Sequence, residues 1–116
     1  DSYNSNKNGF KAALDTLAMF QEMRILMTPG MVELGAKQYD ENKEVGAYAA
    51  DKCDYAILVG KEQTRPIQDG LLQADFAQNR MIVVDTLQEA FQMVNAIPNE
   101  RQKVVLIEND LPDNYS

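Results

Sequence analysis

An α/β fold, an open and mostly parallel sheet with helices on both faces, follows from three observations. Helix and strand signals alternate strictly along the 116 residues. The strand signals "DYAILVG", "MIVVD" and "KVVLIEND" are nearly unbroken apolar runs, as expected of strands covered on both sides. The connections between them are short, and short connections with right-handed crossovers lead to a parallel sheet. The length predicts one domain spanning residues 1–116.

Each element has its own justification. Phe10, Ala13, Leu14, Leu17 and Ala18 recur at helical spacing and predict an amphipathic helix over about residues 8–23, capped by Asn6 or Asn8. "RILMT" is a short apolar run closed by Pro29 and Gly30, a strand entering a turn. From Lys37 to Lys52 one side is polar, while Val45, Tyr48 and Ala49 mark the other, with Ala50 and Cys53 near its edge. "DYAILVG" is the second strand. "TRPIQDGLLQADF" is a helix with Thr64 and Pro66 near its start, where proline is tolerated. "MIVVD" is the third strand. Leu87, Ala90, Phe91, Val94 and Ile97 form the cleanest helical stripe, which Pro98 ends. "KVVLIEND" is the last strand. The opening helix has no strand before it, so the pattern predicts a missing first strand or one reduced to its final residues. The chain begins without methionine, and we expect it to be a piece of something longer.

Composition narrows the chemistry. Eighteen acids against eleven bases give a formal charge of −7, and the bases are scattered rather than gathered in a stripe. Neither nucleic acid nor an anionic membrane is an expected partner. With no histidine and a lone Cys53, His-based catalysis, Cys/His zinc sites and an intramolecular disulfide are excluded. Cys53 reads as a small buried residue, and the methionines as core fillers. No apolar run approaches the roughly 20 residues that span a bilayer, and no signal-peptide core is present, so a cytoplasmic location is expected.

In parallel α/β sheets, ligands bind beyond the carboxyl ends of the strands, where strand order reverses. The candidate segments are therefore DSYNSN, Thr28-Pro29-Gly30, Gly60-Lys61, Asp85-Thr86 and Glu108-Asn109-Asp110. Asp1 can accept from a ribose hydroxyl pair, and Asn4 and Asn6 offer donors and acceptors to a ribose or adenine edge. The same asparagines could simply form a turn and a helix cap. Glu33 either lines a cleft or is a solvated charge. "ENDLPD" either meets a cation or is a charged tail, and Asp40, Glu41 and Glu44 read as a solvated helix face. No Rossmann or Walker glycine-rich phosphate loop is present, and no metal ligand or catalytic group is assigned.

The ordered combination "DSYNSN…GFKAALDTL", "GMVELG…ENKEVG" and "CDYAILVG" resembles the C-terminal, Rossmann-like domain of the Mur ligases, in particular the MurF type that adds D-alanyl-D-alanine to UDP-N-acetylmuramoyl-tripeptide. The resemblance runs from Asp1 to about Glu108. It implies a three-domain ligase that phosphorylates a carboxylate with ATP and forms an amide with an incoming amine. In such a ligase the central domain carries the phosphate loop, the Mg2+ ligands and most of the catalysis. The C-terminal domain closes over it, adds nucleotide contacts and forms part of the incoming-substrate site. The implied partners are the central and N-terminal domains of the same chain, the UDP-MurNAc-peptide, and an amino acid or dipeptide; the isolated domain is expected to be inactive.

Carried onto this sequence, the resemblance makes Asp1 the ribose-binding acid, with Ser2 at the alternative register. Tyr3, Asn4 and Asn6 become the loop beside the nucleotide. Glu33, flanked by Met31 and Gly35, becomes a lining residue of the interdomain cleft. Three departures stand out. Lys7 replaces a common proline, "TPGM" lacks the acid usual at Gly30, and "ENDLPDN" replaces a lysine-glycine-serine-arginine run that faces substrate. Glu108, Asn109 and Asp110 therefore bear on which group is accepted. The competing readings are a non-catalytic flavodoxin- or receiver-like binding module and a Mur-ligase relative with another substrate. The receiver reading is weakened because "IEND" has no lysine after the last strand.

Overall fold

The computed structural model describes residues 6–98 and 101–108. Four helices and four strands alternate through them: α1 (Lys7–Ala18), β1 (Met23–Thr28), α2 (Gln38–Ala49), β2 (Tyr55–Val59), α3 (Arg65–Gln73), β3 (Met81–Val84), α4 (Leu87–Ala96) and β4 (Lys103–Ile107). Short 3-10 turns at Gly35–Lys37 and Gln78–Arg80 lead into α2 and β3. The strands form one sheet in the order β3-β2-β1-β4, and every neighbouring pair is parallel. The predicted class is therefore the observed one. The strand predicted ahead of α1 would lie outside the described residues.

Alternation along each strand sends side chains to two cores. Leu26, Ala56 and Leu58 meet Phe10, Leu14 and Leu17 of α1, Val45 and Ala49 of α2, and Ile67 and Leu71 of α3. On the opposite face Ile25, Met27, Ile57 and Val59 lie against Ala90 of α4 and Ile97. Central strands β1 and β2 are thus buried on both sides, which is why their sequences are continuous apolar runs. β3 stands at an edge, so Met81–Val84 are half-buried rather than fully covered.

The amino ends of β1 and β2 are tied by a charged side chain in place of the missing ladder. Asp54 N donates to Arg24 O at 2.7 Å, and Arg24 N donates to Asp54 Oδ2 at 2.9 Å. The Arg24 guanidinium adds bonds to both carboxylate oxygens, at 3.4 and 3.2 Å. Burial by itself would raise the Asp54 carboxyl, and the hydrogen bonds from Arg24 more than offset it, holding the group below its ordinary 3.8.

Helices α2 and α3 approach so closely that only glycine fits at their contact. A Cβ on Gly46 would collide with the Ile67 carbonyl, and one on Gly70 with the Lys43 carbonyl and, at 2.7 Å, Ala47 N. These obstacles are backbone and cannot turn aside. Outside this contact, α1 is tied to α2 by polar groups: Lys7 and Lys11 both reach Glu44, and Tyr48 Oη donates to Asp15 at 2.6 Å.

Several boundaries and faces differ from expectation. The first helix stops at Ala18, because Met23 already belongs to β1 and pairs with Lys103. Phe91, expected in the core stripe of α4, is exposed, while Met93 packs inward beside Val94. The methionines divide: Met27 and Met31 are fully buried, but Met19 is 81% exposed beyond the end of α1. Cys53 is buried as expected, and its thiol is pushed up to about 12, chiefly by burial, so it stays protonated and inert.

Two outcomes test this description. Gly70→Ala should destabilise the fold by about 2–4 kcal/mol through unavoidable overpacking, read as a lower urea midpoint at unchanged slope. Asp54→Asn should cost about 1–3 kcal/mol at neutral pH. Because the folded carboxyl titrates below its unfolded value, its contribution is present above pH 3.8 and disappears as pH falls through the depressed value, so wild type and variant should converge in acid.

Candidate functional site

Strand order reverses between β1 and β4, since β1, β2 and β3 progress one way and β4 returns to the other side of β1. The carboxyl ends of β1 and β4 therefore border the topological switch point, where open α/β sheets bind ligands. Thr28, wholly buried at the end of β1, joins the two ends. Its hydroxyl donates to Glu108 O at 2.9 Å and accepts from Gly30 N at 2.9 Å. Glu108 N donates to Met27 O at 3.0 Å, so the Glu108 backbone is held from both directions.

Glu108 is consequently fixed at the mouth of the crevice. Its side chain is half-buried, and burial raises its carboxyl above the ordinary 4.5. No hydrogen bond or ion pair to that carboxylate occurs among the described residues. Glu33 lies on the loop between β1 and α2, exposed to solvent, with φ of 64°. Glu33 follows the carboxyl end of β1 and Glu108 the carboxyl end of β4. Asn109 and Asp110 lie outside the described residues.

Helix α1 runs back along the sheet into β1, which brings its first turn to the carboxyl edge. Asn6 caps it, accepting from Gly9 N through Oδ1 at 2.7 Å. Capping thus uses the side-chain oxygen, and the amide N–H groups of this exposed residue bond no other group among the described residues. Asp1, Tyr3 and Asn4 lie outside the described residues. The segment after β3 is structural in its visible bonds: Thr86 Oγ1 accepts from Glu89 N at 3.1 Å, and Glu89 Oε1 accepts from Asp85 N at 2.9 Å. Thr86 thus caps α4, while Glu89 reaches back past it to the preceding residue.

Sequence reasoning missed three residues that shape this edge. Asn42 is fully buried within α2 and binds the loop after β1 through Met31 N at 2.8 Å and Met31 O at 2.9 Å. Gln63 Nε2 donates to Pro29 O at 2.6 Å. Thr64, also fully buried, donates to Gly60 O at 2.6 Å and turns the chain from β2 into α3. The available signal was Asn42 itself, a polar residue three positions before Val45 on the face that must be buried. Among the described residues, no group of three or more His, Cys, Asp or Glu side chains gathers as a metal site. No helix among them is long and apolar enough to cross a membrane.

A family model described as "Mur ligase, glutamate ligase domain" matches residues 1–108. The chain belongs to the Mur ligase family. Among solved structures it is similar to MurF from Acinetobacter baumannii, with a TM-score of 0.73 and 20% sequence identity over 92% of this chain. The match covers 23% of that chain, so this Mur ligase domain spans about a quarter of its structural relative. At that identity the likeness establishes the fold, an all-parallel α/β unit of the Mur ligase C-terminal type. No match is found among curated protein sequences.

Glu108 provides a direct check on the site. Its raised carboxyl means that ionising it costs stability, and that cost grows as pH rises through and above 4.5. Glu108→Gln should therefore match wild type in thermal melts below pH 4.5 and melt higher at neutral pH.

Proposed function

We propose that this domain is the C-terminal part of an ATP-dependent amide ligase of peptidoglycan precursor synthesis, of the MurF type. In this reading it closes over ATP bound mainly, with Mg2+, by the central domain of the same chain. It also forms part of the site for the incoming amino acid or D-alanyl-D-alanine. The observation that carries the proposal is the family match across residues 1–108, on an all-parallel sheet whose strand order reverses between β1 and β4.

Bound ATP would supply the phosphoryl group that activates the acceptor carboxylate. The roles of this chain are binding and enclosure. Asp1 holds the ribose, Tyr3, Asn4 and the amide of Asn6 flank the nucleotide, and Glu33, Glu108, Asn109 and Asp110 face the incoming substrate. The Asn6 geometry suits this division, because one end of its side chain starts α1 while the other remains exposed. Closure of a domain that excludes water would protect an activated carboxylate from hydrolysis. Catalysis rests with the other domains, so the isolated 116 residues have no ligase activity of their own. A cytoplasmic setting, where ATP and the soluble nucleotide precursor are present, goes with this reading.

The deciding measurement is phosphate release by the full-length parent with ATP, Mg2+ and UDP-MurNAc-tripeptide, across a panel of amines. Release should depend on D-alanyl-D-alanine and fall by at least about tenfold in Asp1→Ala, with the loss concentrated in the KM for ATP. Turnover with a different amine would keep the ligase and shift the substrate, directing attention to Glu108–Asp110. No turnover by well-folded protein across the panel would overturn the ligase reading in favour of a non-catalytic binding module.

A further inference from the structure

The loop after β1 carries more backbone constraint than a surface connection requires. Gly30, Glu33 and Gly35 all have positive φ, at 87°, 64° and 63°. Two are glycines, for which that region is open, but Glu33 is not. Among the described residues one other non-glycine residue, Asp75, shares this conformation. Asp75 ends α3, where Phe76 N donates back to Leu71 O at 3.0 Å and the left-handed residue is a helix stop. Glu33 ends no helix. A strained residue persists only where its surroundings fix it, and such strain gathers where a side chain must be aimed.

The surroundings that fix it can be named. Thr28 accepts from Gly30 N, Gln63 donates to Pro29 O, and Asn42 both accepts from Met31 N and donates to Met31 O. Gln38 Oε1 accepts from Leu34 N at 3.3 Å, and Asn42 donates in turn to Gln38 O at 2.8 Å. Four side chains thus bind the backbone on both sides of Glu33, and none binds its carboxylate. Asn42 is the centre of the set, since all of its bonds fall on this loop and its junction with α2. A Cβ on Gly30 would come within 3.2 Å of Asn42 Oδ1, so the glycine and the amide also fit each other sterically.

We propose that Asn42, assisted by Gln63, is a positioning residue for Glu33, holding its carboxylate at a set point on the crevice rim to bind an N–H group of the incoming amine. The proposal rests on the ligase reading for the identity of that amine; the locking of the loop does not. Neither Asn42 nor Gln63 touches substrate in this scheme, and both act through Glu33.

A double-mutant cycle in the full-length parent tests it, with D-alanyl-D-alanine as the varied amine. Glu33→Gln should lower kcat/KM for that amine by about tenfold and leave the KM for ATP unchanged. Gln63→Leu, at a half-buried position ahead of α3, should lower it by about threefold to tenfold. The double variant should be no worse than Glu33→Gln alone, because the second change acts through a group already removed. Multiplying effects, or a silent Glu33→Gln in an active enzyme, would overturn the proposal while leaving the ligase reading intact.

Amide hydrogen exchange supplies a readout independent of turnover. In Asn42→Asp and Gln63→Leu, exchange at Gly30, Met31 and Leu34 should accelerate by about tenfold while the cores of β1 and β2 keep their protection. Unchanged exchange at those three amides in both variants would overturn the proposal. If the parent turns over with no amine, the ligase reading fails, and exchange alone then decides whether Asn42 and Gln63 lock the loop.

Discussion

The contact of α2 with α3 at Gly46 and Gly70 is the constraint on which the functional edge depends. Where backbones meet with no side chain between them, the two helices behave as a single element whose spacing cannot drift. Asn42 lies one turn before Gly46, and Gln63 lies just ahead of α3. Closing the helices therefore brings two polar side chains, from different elements, onto the same loop. Asn42 reaches Met31 from one helix, and Gln63 reaches Pro29 from the start of the other. Ile67 takes part as well, since its carbonyl bars a side chain at Gly46 and its Cδ1 would lie 3.4 Å from a Cβ on Gly30. One close approach thus sets the shape of the loop after β1.

The other half of the edge depends on parallel pairing. Because β4 returns to lie beside β1, two segments 80 residues apart end side by side, and Thr28 bonds across the join. A buried hydroxyl must find partners or cost stability, and Thr28 finds one on each side: the β4 end and its own turn. This leaves Glu108 at the junction with its backbone pinned and its carboxylate unpaired among the described residues. The two acids on this edge are placed by opposite means. Glu33 is exposed and held by a braced loop, whereas Glu108 is half-buried and held by the sheet.

Most of the fold was legible because burial on two faces leaves a direct trace in sequence. "DYAILVG" could satisfy only a central strand, and Phe10, Leu14 and Leu17 only a helix with one covered side. What escaped has a common physical reason. Gly46 and Gly70 look like weak points in helical patterns, since a missing side chain does not say that another backbone fills the space. Asn42 looks like part of a polar face until the loop that uses its amide is in place. Phe91 fits the core stripe of α4 by spacing, yet α4 is the only described helix on its face of the sheet, and no neighbour covers that ring. Glu33 was legible through the family motif, whereas Glu108 was legible from its place after the last strand and departs from that motif. Asn6 was legible both ways, as a cap and as a candidate contact, and its two functional groups allow both.

These features also bear on how a domain without histidine, reactive thiol or phosphate loop would serve the proposed ligase. Cys53 is locked as a thiol in the core, and the acids of α2 are engaged by Lys7 and Lys11 or open to solvent. What remains at the carboxyl edge is a rim built from hydrogen bonds, with little flexibility between its parts. A rim of that kind is suited to closing against a second domain as one body. In the proposed ligase, fixed groups would meet a bound substrate without the entropy cost of ordering a loose loop at each turnover. The strain at Glu33 is stabilised in advance by the folded α2–α3 pair, so under the proposed role the cost of positioning would fall on folding and not on a catalytic cycle.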